Sequence, residues 1–86
     1  MQLDPEEMKA VVTRLRRAQG QLGGIIDMVE SGRDCADIVT QIAAVSKAVS
    51  RAGFATISEG MRQCFADPEQ TELDERKLEK LFLSLA

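Results

Sequence analysis

Two cysteines, Cys35 and Cys64, are the residues of this 86-residue sequence best suited to chemistry. Their thiolates are nucleophiles that react with oxidants and exchange with disulfides. The sequence contains no histidine, which excludes a metal site built on imidazole. The other interpretation is that both cysteines are small hydrophobic core residues, a common role for unreactive thiols.

The spacing of the cysteines predicts where they can meet. They are 29 positions apart, and no proline interrupts the chain between them. At about 100° per residue they share one face of a continuous helix, but at ~1.5 Å of rise per residue they lie about 43 Å apart. A disulfide needs Cα atoms within ~7 Å. If two helices pack antiparallel around a two-fold axis near residues 49–50, each Cys35 lies beside Cys64 of the other chain, which gives two identical thiol pairs per dimer.

The two thiols are also predicted to differ in reactivity. Cys35 falls in the first turn of the predicted helix, where backbone N–H groups and Arg33 favour a thiolate, although Asp34 and Asp37 oppose it. Cys64 falls at the other end, where the helix dipole disfavours a thiolate. We therefore expect Cys35 to attack first and Cys64 to resolve the product.

Three helices in a single all-α domain over residues 1–86 are predicted to position these residues. Asp4 and Pro5 are a strong helix start, and apolar residues then recur with a 3.6-residue period, which predicts a first helix over Pro5–Glu30. A long central helix is predicted from near Asp34 to Cys64. At about 45 Å it is too long for so short a chain to bury alone, so a partner is implied.

The third predicted helix is short and amphipathic. It follows a turn at Asp67–Pro68, and Thr71 and Asp74 resemble a capping box at its start. Its apolar residues are Leu73, Leu78, Leu81, Phe82 and Leu85.

Charges are segregated along the chain. The net charge of −3 arises in residues 65–86, which hold three basic and six acidic residues, so the first 64 residues are neutral. Within this neutral part, residues 8–26 and 40–58 contain no acidic residue, and their basic residues are Lys9, Arg14, Arg16, Arg17, Lys47 and Arg51. This pattern is typical either of a solvated helix face or of a surface that contacts phosphates.

Three groups of residues, covering nearly the whole chain, resemble the CsoR/RcnR family of bacterial repressors. They are RLRRAQGQL from Arg14 to Leu22, CADIVTQI from Cys35 to Ile42, and then Arg51 and Cys64 at their spacings. The resemblance implies antiparallel dimers of long helices that pair into disc-like homotetramers. It also implies that the protein binds operator DNA until an inducer reaches the subunit interface.

The residue four positions before Cys64 favours one branch of this family. Copper sensors of the family have a metal-binding histidine there, whereas this chain has Gly60. Retention of both thiols without the histidine resembles the CstR branch. That likeness implies that persulfides or polysulfides modify Cys35 and link it to Cys64 of the partner chain, which lowers DNA affinity and derepresses sulfide-handling genes. Cu(I) held by the two thiolates is the alternative, and no resident cofactor is predicted.

The resemblance also assigns roles to the basic residues. It implicates Arg14 and Arg51 in operator binding, and a wider phosphate-contacting surface is predicted to include Lys9, Arg16, Arg17 and Lys47. No helix-turn-helix pattern is present. A tetramer repeats each basic group four times, which favours recognition through the DNA backbone and DNA shape.

Other classes of function are less consistent with the sequence. An enzyme is disfavoured because no nucleophile, base and oxyanion-stabilising set can be assembled. No apolar run near 18 residues predicts a membrane span, and residues 1–5 show no secretory signal, so we expect a cytoplasmic protein with reduced cysteines. A helical adaptor whose cysteines only pack is the third interpretation, and it predicts no DNA affinity.

Overall fold

The chain folds into three α-helices preceded by a short 3₁₀ turn, in a computed structural model that describes residues 2–66 and 72–86. The elements are the turn Pro5–Met8, α1 Lys9–Glu30, α2 Cys35–Ala66 and α3 Glu72–Leu85. The described residues contain no β-strand, which confirms an all-α fold with a long central helix. The antiparallel dimer and the disc-like tetramer stay predictions.

Asp4 and Pro5 start the first helical segment, as the sequence predicts. An Asp4 side-chain oxygen accepts a hydrogen bond from the backbone N–H of Glu6 at 3.0 Å, and the missing N–H of Pro5 costs nothing in the first turn. The first turn is 3₁₀, however, and regular α-helix begins at Lys9. Such tighter turns are frequent at helix N-termini, where the i−4 hydrogen bonds are not yet available.

Gly32 ends α1 because it adopts a left-handed conformation, with φ of 73°. The N–H of Gly32 donates to the carbonyl of Val29 at 3.2 Å, and the N–H of Arg33 donates to the carbonyl of Met28 at 3.0 Å. This pair of bonds is the Schellman motif, which satisfies the last carbonyls of the helix. The chain thereby reverses within residues 31–34.

Asp34 starts α2 by capping it. Its side chain accepts a hydrogen bond from the N–H of Ala36 at 3.0 Å. The helix then runs without interruption to Ala66, two residues beyond the predicted end. The predicted Asp67–Pro68 turn and Thr71 of the predicted capping box lie outside the described residues.

The third helix packs antiparallel on the C-terminal half of α2. The rings of Phe54 and Phe82 lie 5.2 Å apart between centroids, and a Cβ atom at Gly53 would lie 2.7 Å from Cδ1 of Leu85, so only glycine permits this approach without a shift. The buried cluster between the two helices consists of Ile57, Cys64 and Leu78. This packing places α3 directly over one of the two thiols.

Replacement of Leu78 is expected to loosen α3. Because Leu78 is 5% exposed, Leu78→Ala should lower the free energy of unfolding by about 2–4 kcal/mol. Leu83 lies on the same helix but is 63% exposed, so Leu83→Ala is the matched control, with an expected loss of about 0.5 kcal/mol or less. Urea unfolding followed by circular dichroism, at one fixed chain concentration, measures both. Equal losses would contradict this packing.

Much of the apolar stripe on α1 and α2 is exposed in a single chain. Its exposed members are Val12, Leu15, Leu22, Ile26, Val29, Val39, Ile42 and Val49. Many large apolar residues exposed along two helices are typical of a protein–protein interface. Among the described helices, none combines the length and the hydropathy that a membrane crossing requires.

The N-terminal turn is held against the last turns of α2 by polar contacts. The backbone N–H of Asp4 donates to the side-chain carbonyl of Gln63 at 2.9 Å. The Arg62 guanidinium lies 2.7 Å from a Glu7 carboxylate oxygen and 2.9 Å from one of Glu59. The hydrogen bond from Arg62 lowers the pKa of Glu59 and raises the pKa of Arg62 itself. These contacts connect the N-terminal turn to the end of α2.

Candidate thiol site and nucleic-acid interface

Cys35 and Cys64 occupy opposite ends of α2. Cys35 is its first residue and is exposed, whereas Cys64 lies near its last residue and is 2% exposed. Their spacing of 29 residues in a continuous helix corresponds to about 43 Å, so they cannot bond within one chain. The structure thus keeps the two predicted site residues apart in the single chain, and their pairing across subunits stays a prediction.

The two thiols differ in access. Reagents in solution reach Cys35 directly, whereas Cys64 is enclosed between α2 and α3 beside Ile57 and Leu78. Access is one determinant of thiol reactivity. The difference is consistent with the prediction that Cys35 reacts first.

A cavity of about 410 Å³ lies between α2 and α3 and reaches Cys64. Met61 and Cys64 line it from α2, and Glu75 and Glu79 line it from α3. The rest of its wall is apolar and consists of Phe65, Leu78 and Phe82. The cavity therefore combines a thiol, a thioether and two carboxylates.

Three of these four polar or sulfur-bearing residues were not among the site residues predicted from sequence. Met61 could have been identified from sequence, because it lies three residues before Cys64 and residues three apart on a helix are neighbours. Glu75 and Glu79 could not have been identified in this way, because their position at the cavity depends on how α3 packs against α2.

Gly60 provides no side chain at the position where copper sensors of the resembled family have their histidine. It is buried on α2. Within residues 2–66 and 72–86, no group of three or more Cys, His, Asp or Glu side chains is arranged to hold a metal ion. A metal site involving Cys64 therefore needs a donor of another kind or a donor from a second subunit.

A second, smaller cleft, of about 160 Å³, lies between α1 and α2 and is basic. Arg14, Arg17 and Gln21 line it from α1, and Ala48 and Arg51 line it from α2. The α1 residues are three and four positions apart, so they project from one helix face. Along the described chain, no carboxylate lies within 4.0 Å of the three arginines. Three guanidiniums that converge without an acidic partner suit an anion such as a DNA phosphate.

The other three predicted DNA-binding residues lie outside this cleft. Lys9 forms an exposed ion pair with Glu6 at 3.0 Å. Arg16 is exposed but is about 200° around α1 from Arg14, on a different face. Lys47 is exposed on α2, four residues before Arg51 and therefore beside it. The structure thus brings Arg14, Arg17 and Arg51 together and leaves Lys9, Arg16 and Lys47 outside the cleft.

A family model described as "Metal-sensitive transcriptional repressor" matches residues 7–85, which include both cysteines and the basic cleft. The chain belongs to this family. The recognition of a CsoR/RcnR-type repressor from sequence is therefore confirmed, and with it the assignment to transcription regulation.

Relatives of the repressor are described as copper sensors. The copper-sensing transcriptional repressor CsoR of Bacillus subtilis (strain 168) is 33% identical over 76 residues, which cover 88% of this chain and 75% of that protein. CsoR of Mycobacterium ulcerans (strain Agy99) is 34% identical over 71% of this chain and 52% of that protein. RicR of Mycobacterium tuberculosis (strain ATCC 25618 / H37Rv) is 39% identical over 59% of this chain and 53% of that protein.

The matches cover only part of each relative, and the names of the relatives favour one of the two inducers. The match spans about half the length of the two mycobacterial proteins and three quarters of the Bacillus one. Their names also fit the copper alternative better than the persulfide prediction, and the CstR-like branch is not confirmed.

Proposed function

We propose that the repressor binds operator DNA through its arginine cleft and is released when Cu(I) binds a thiol site shared by two subunits. The observation that carries this proposal is the placement of the two thiols at opposite ends of one helix in a chain that belongs to a metal-sensitive family. Neither end of α2 holds both thiols, so a site that uses both must form between chains.

An antiparallel dimer is the assembly that joins them. The exposed apolar residues of α1 and α2 supply a surface for a second copy, and burying apolar area stabilises association by about 25 cal/mol per Å² before ordering costs. A two-fold axis near the middle of α2 sets each Cys35 beside Cys64 of the other subunit. Two such dimers form the proposed tetramer, which the family resemblance implies.

Cu(I) fits the donors that the chain offers. Thiolate and thioether sulfur are soft ligands that favour Cu(I) over hard cations such as Mg²⁺ or Ca²⁺. The relatives named above are copper-sensing, which supports the same inducer here. Cys35 of one subunit and Cys64 of the other would hold Cu(I) between the ends of two long helices. A change in the separation of those helices would then alter the spacing of the arginine clefts proposed to contact DNA.

A persulfide or polysulfide is the second candidate inducer, and the absence of histidine supports it. With an organic tetrasulfide, the Cys35 thiolate attacks one of the two inner sulfurs and displaces one RS⁻. The Cys64 thiolate of the other subunit then attacks the next inner sulfur and displaces a second RS⁻. The inner sulfurs stay between the two cysteines, so the donor is reduced to two thiolates and the protein is crosslinked.

An anaerobic titration separates the two inducers. The probe is an operator duplex selected by the wild-type repressor from a random library, and fluorescence anisotropy reports its release at fixed salt. We expect release by one Cu(I) per cysteine pair, with chains that still separate on non-reducing electrophoresis. Release only by an organic tetrasulfide, with crosslinked chains and added sulfur by mass spectrometry, would overturn the copper proposal and support the second candidate. No binding of any duplex would refute both.

A further inference from the structure

Met61 and Cys64 direct two sulfur-bearing side chains into the same cavity between α2 and α3. Their Cβ atoms are about 5–6 Å apart, because residues at i and i+3 are neighbours on a helix. Each sulfur lies beyond its Cβ, so the two can approach one ion placed between them. Met61 is 43% exposed, whereas Cys64 is 2% exposed.

From this geometry we propose that Met61 is a ligand of the Cu(I) site, where it supplies the donor that the glycine at position 60 cannot. The site then contains Cys64 and Met61 from one subunit and Cys35 from the other. This inference rests on the proposed function, since it names a ligand of the same site. A thioether is neutral and soft, so it adds a bond to Cu(I) without a proton to lose.

The two carboxylates of the cavity favour a cation as its occupant. Glu75 and Glu79 lie one helical turn apart on α3, border the cavity and are exposed to solvent. Carboxylate oxygen is a hard donor that Cu(I) does not prefer, so their contribution is negative potential rather than coordination. Because both carboxylates are exposed, water and salt screen this potential, and it favours a cation over an anionic sulfur donor only modestly.

Three variants test the ligand role of Met61. Met61→Leu keeps the volume but removes the sulfur, and Met8→Leu is the matched control because Met8 is half-buried but does not line the cavity. Met61→His replaces the thioether with a nitrogen donor. Cu(I) affinity is measured anaerobically by competition with a chromogenic chelator. We expect Met61→Leu to bind Cu(I) at least about tenfold more weakly, with Met8→Leu unchanged and Met61→His recovering most of the affinity.

A spectroscopic readout identifies the ligand directly. With selenomethionine in place of methionine, X-ray absorption at the copper edge should show a selenium neighbour in the wild-type chain and in Met8→Leu, but not in Met61→Leu. A wild-type chain that binds Cu(I) without a selenium neighbour, and with unchanged affinity in Met61→Leu, would refute Met61 as a ligand and leave the copper function intact. A wild-type chain that binds no Cu(I) would refute the copper function itself. Unchanged DNA binding by Met61→Leu shows that the variant is folded.

Discussion

Cys35→Ser and Cys64→Ser are each expected to abolish inducer-dependent release of DNA while operator affinity without inducer stays within about twofold of wild type. Both thiols are far from the arginine cleft along α2, so serine at either position leaves the DNA contacts in place. Serine oxygen is a poor ligand for Cu(I), and its neutral hydroxyl group does not attack sulfur donors at neutral pH. Either variant should therefore lose DNA release by Cu(I) and by a sulfur donor alike, so this test does not depend on which inducer is correct.

Mixing the two variants tests whether the site spans two subunits. A dimer with one Cys35→Ser chain and one Cys64→Ser chain retains one intact pair, whereas each pure variant retains none. With random exchange about half of the dimers are mixed, so about a quarter of the wild-type sites return. Cu(I) stoichiometry or crosslinking by a tetrasulfide measures that fraction. No recovery after full exchange, confirmed with differently tagged chains, would exclude an intersubunit pair.

The helices could be predicted from sequence because their ends are set locally. Asp4 and Asp34 cap the two long segments through hydrogen bonds to N–H groups two residues ahead. The spacing of apolar residues identified α2 as one uninterrupted helix, and from this alone the two thiols were known to be far apart. The 3₁₀ form of the first turn was not predicted, because the spacing of apolar residues does not distinguish a 3₁₀ turn from the first turn of an α-helix.

The candidate sites were predicted less completely because they depend on packing. The charge pattern along the chain groups Arg16 with Arg14 and Arg17, although only Arg14 and Arg17 line the cleft opposite α2. The choice between neighbouring arginines requires the orientation of α1 against α2. In the same way, the sequence shows Glu75 and Glu79 only as two members of an acidic segment. Their place at the cavity follows from the packing of α3 over Cys64. Local patterns identified the chemistry, but tertiary contacts decide which residues share a cavity.

The arginine cleft gives the second large expected effect, on DNA affinity. Arg14→Ala and Arg51→Ala should each weaken binding of the selected operator duplex by about tenfold or more at fixed salt, because every subunit loses a phosphate contact. The two arginines line the cleft from different helices, so either change opens one side of it. Neither is buried, and thermal unfolding followed by circular dichroism should show a stability close to wild type.

Salt dependence distinguishes phosphate contacts from a general loss of positive charge. The plot of log affinity against log salt concentration should become shallower by about 0.9 for each contact removed. Arg16→Ala is the matched control, since it removes the same charge from the same helix but outside the cleft. We expect its affinity and its slope to stay closer to wild type than those of Arg14→Ala. Equal changes in the two variants would mean that DNA responds to overall charge, and the cleft would then have no special role in operator recognition.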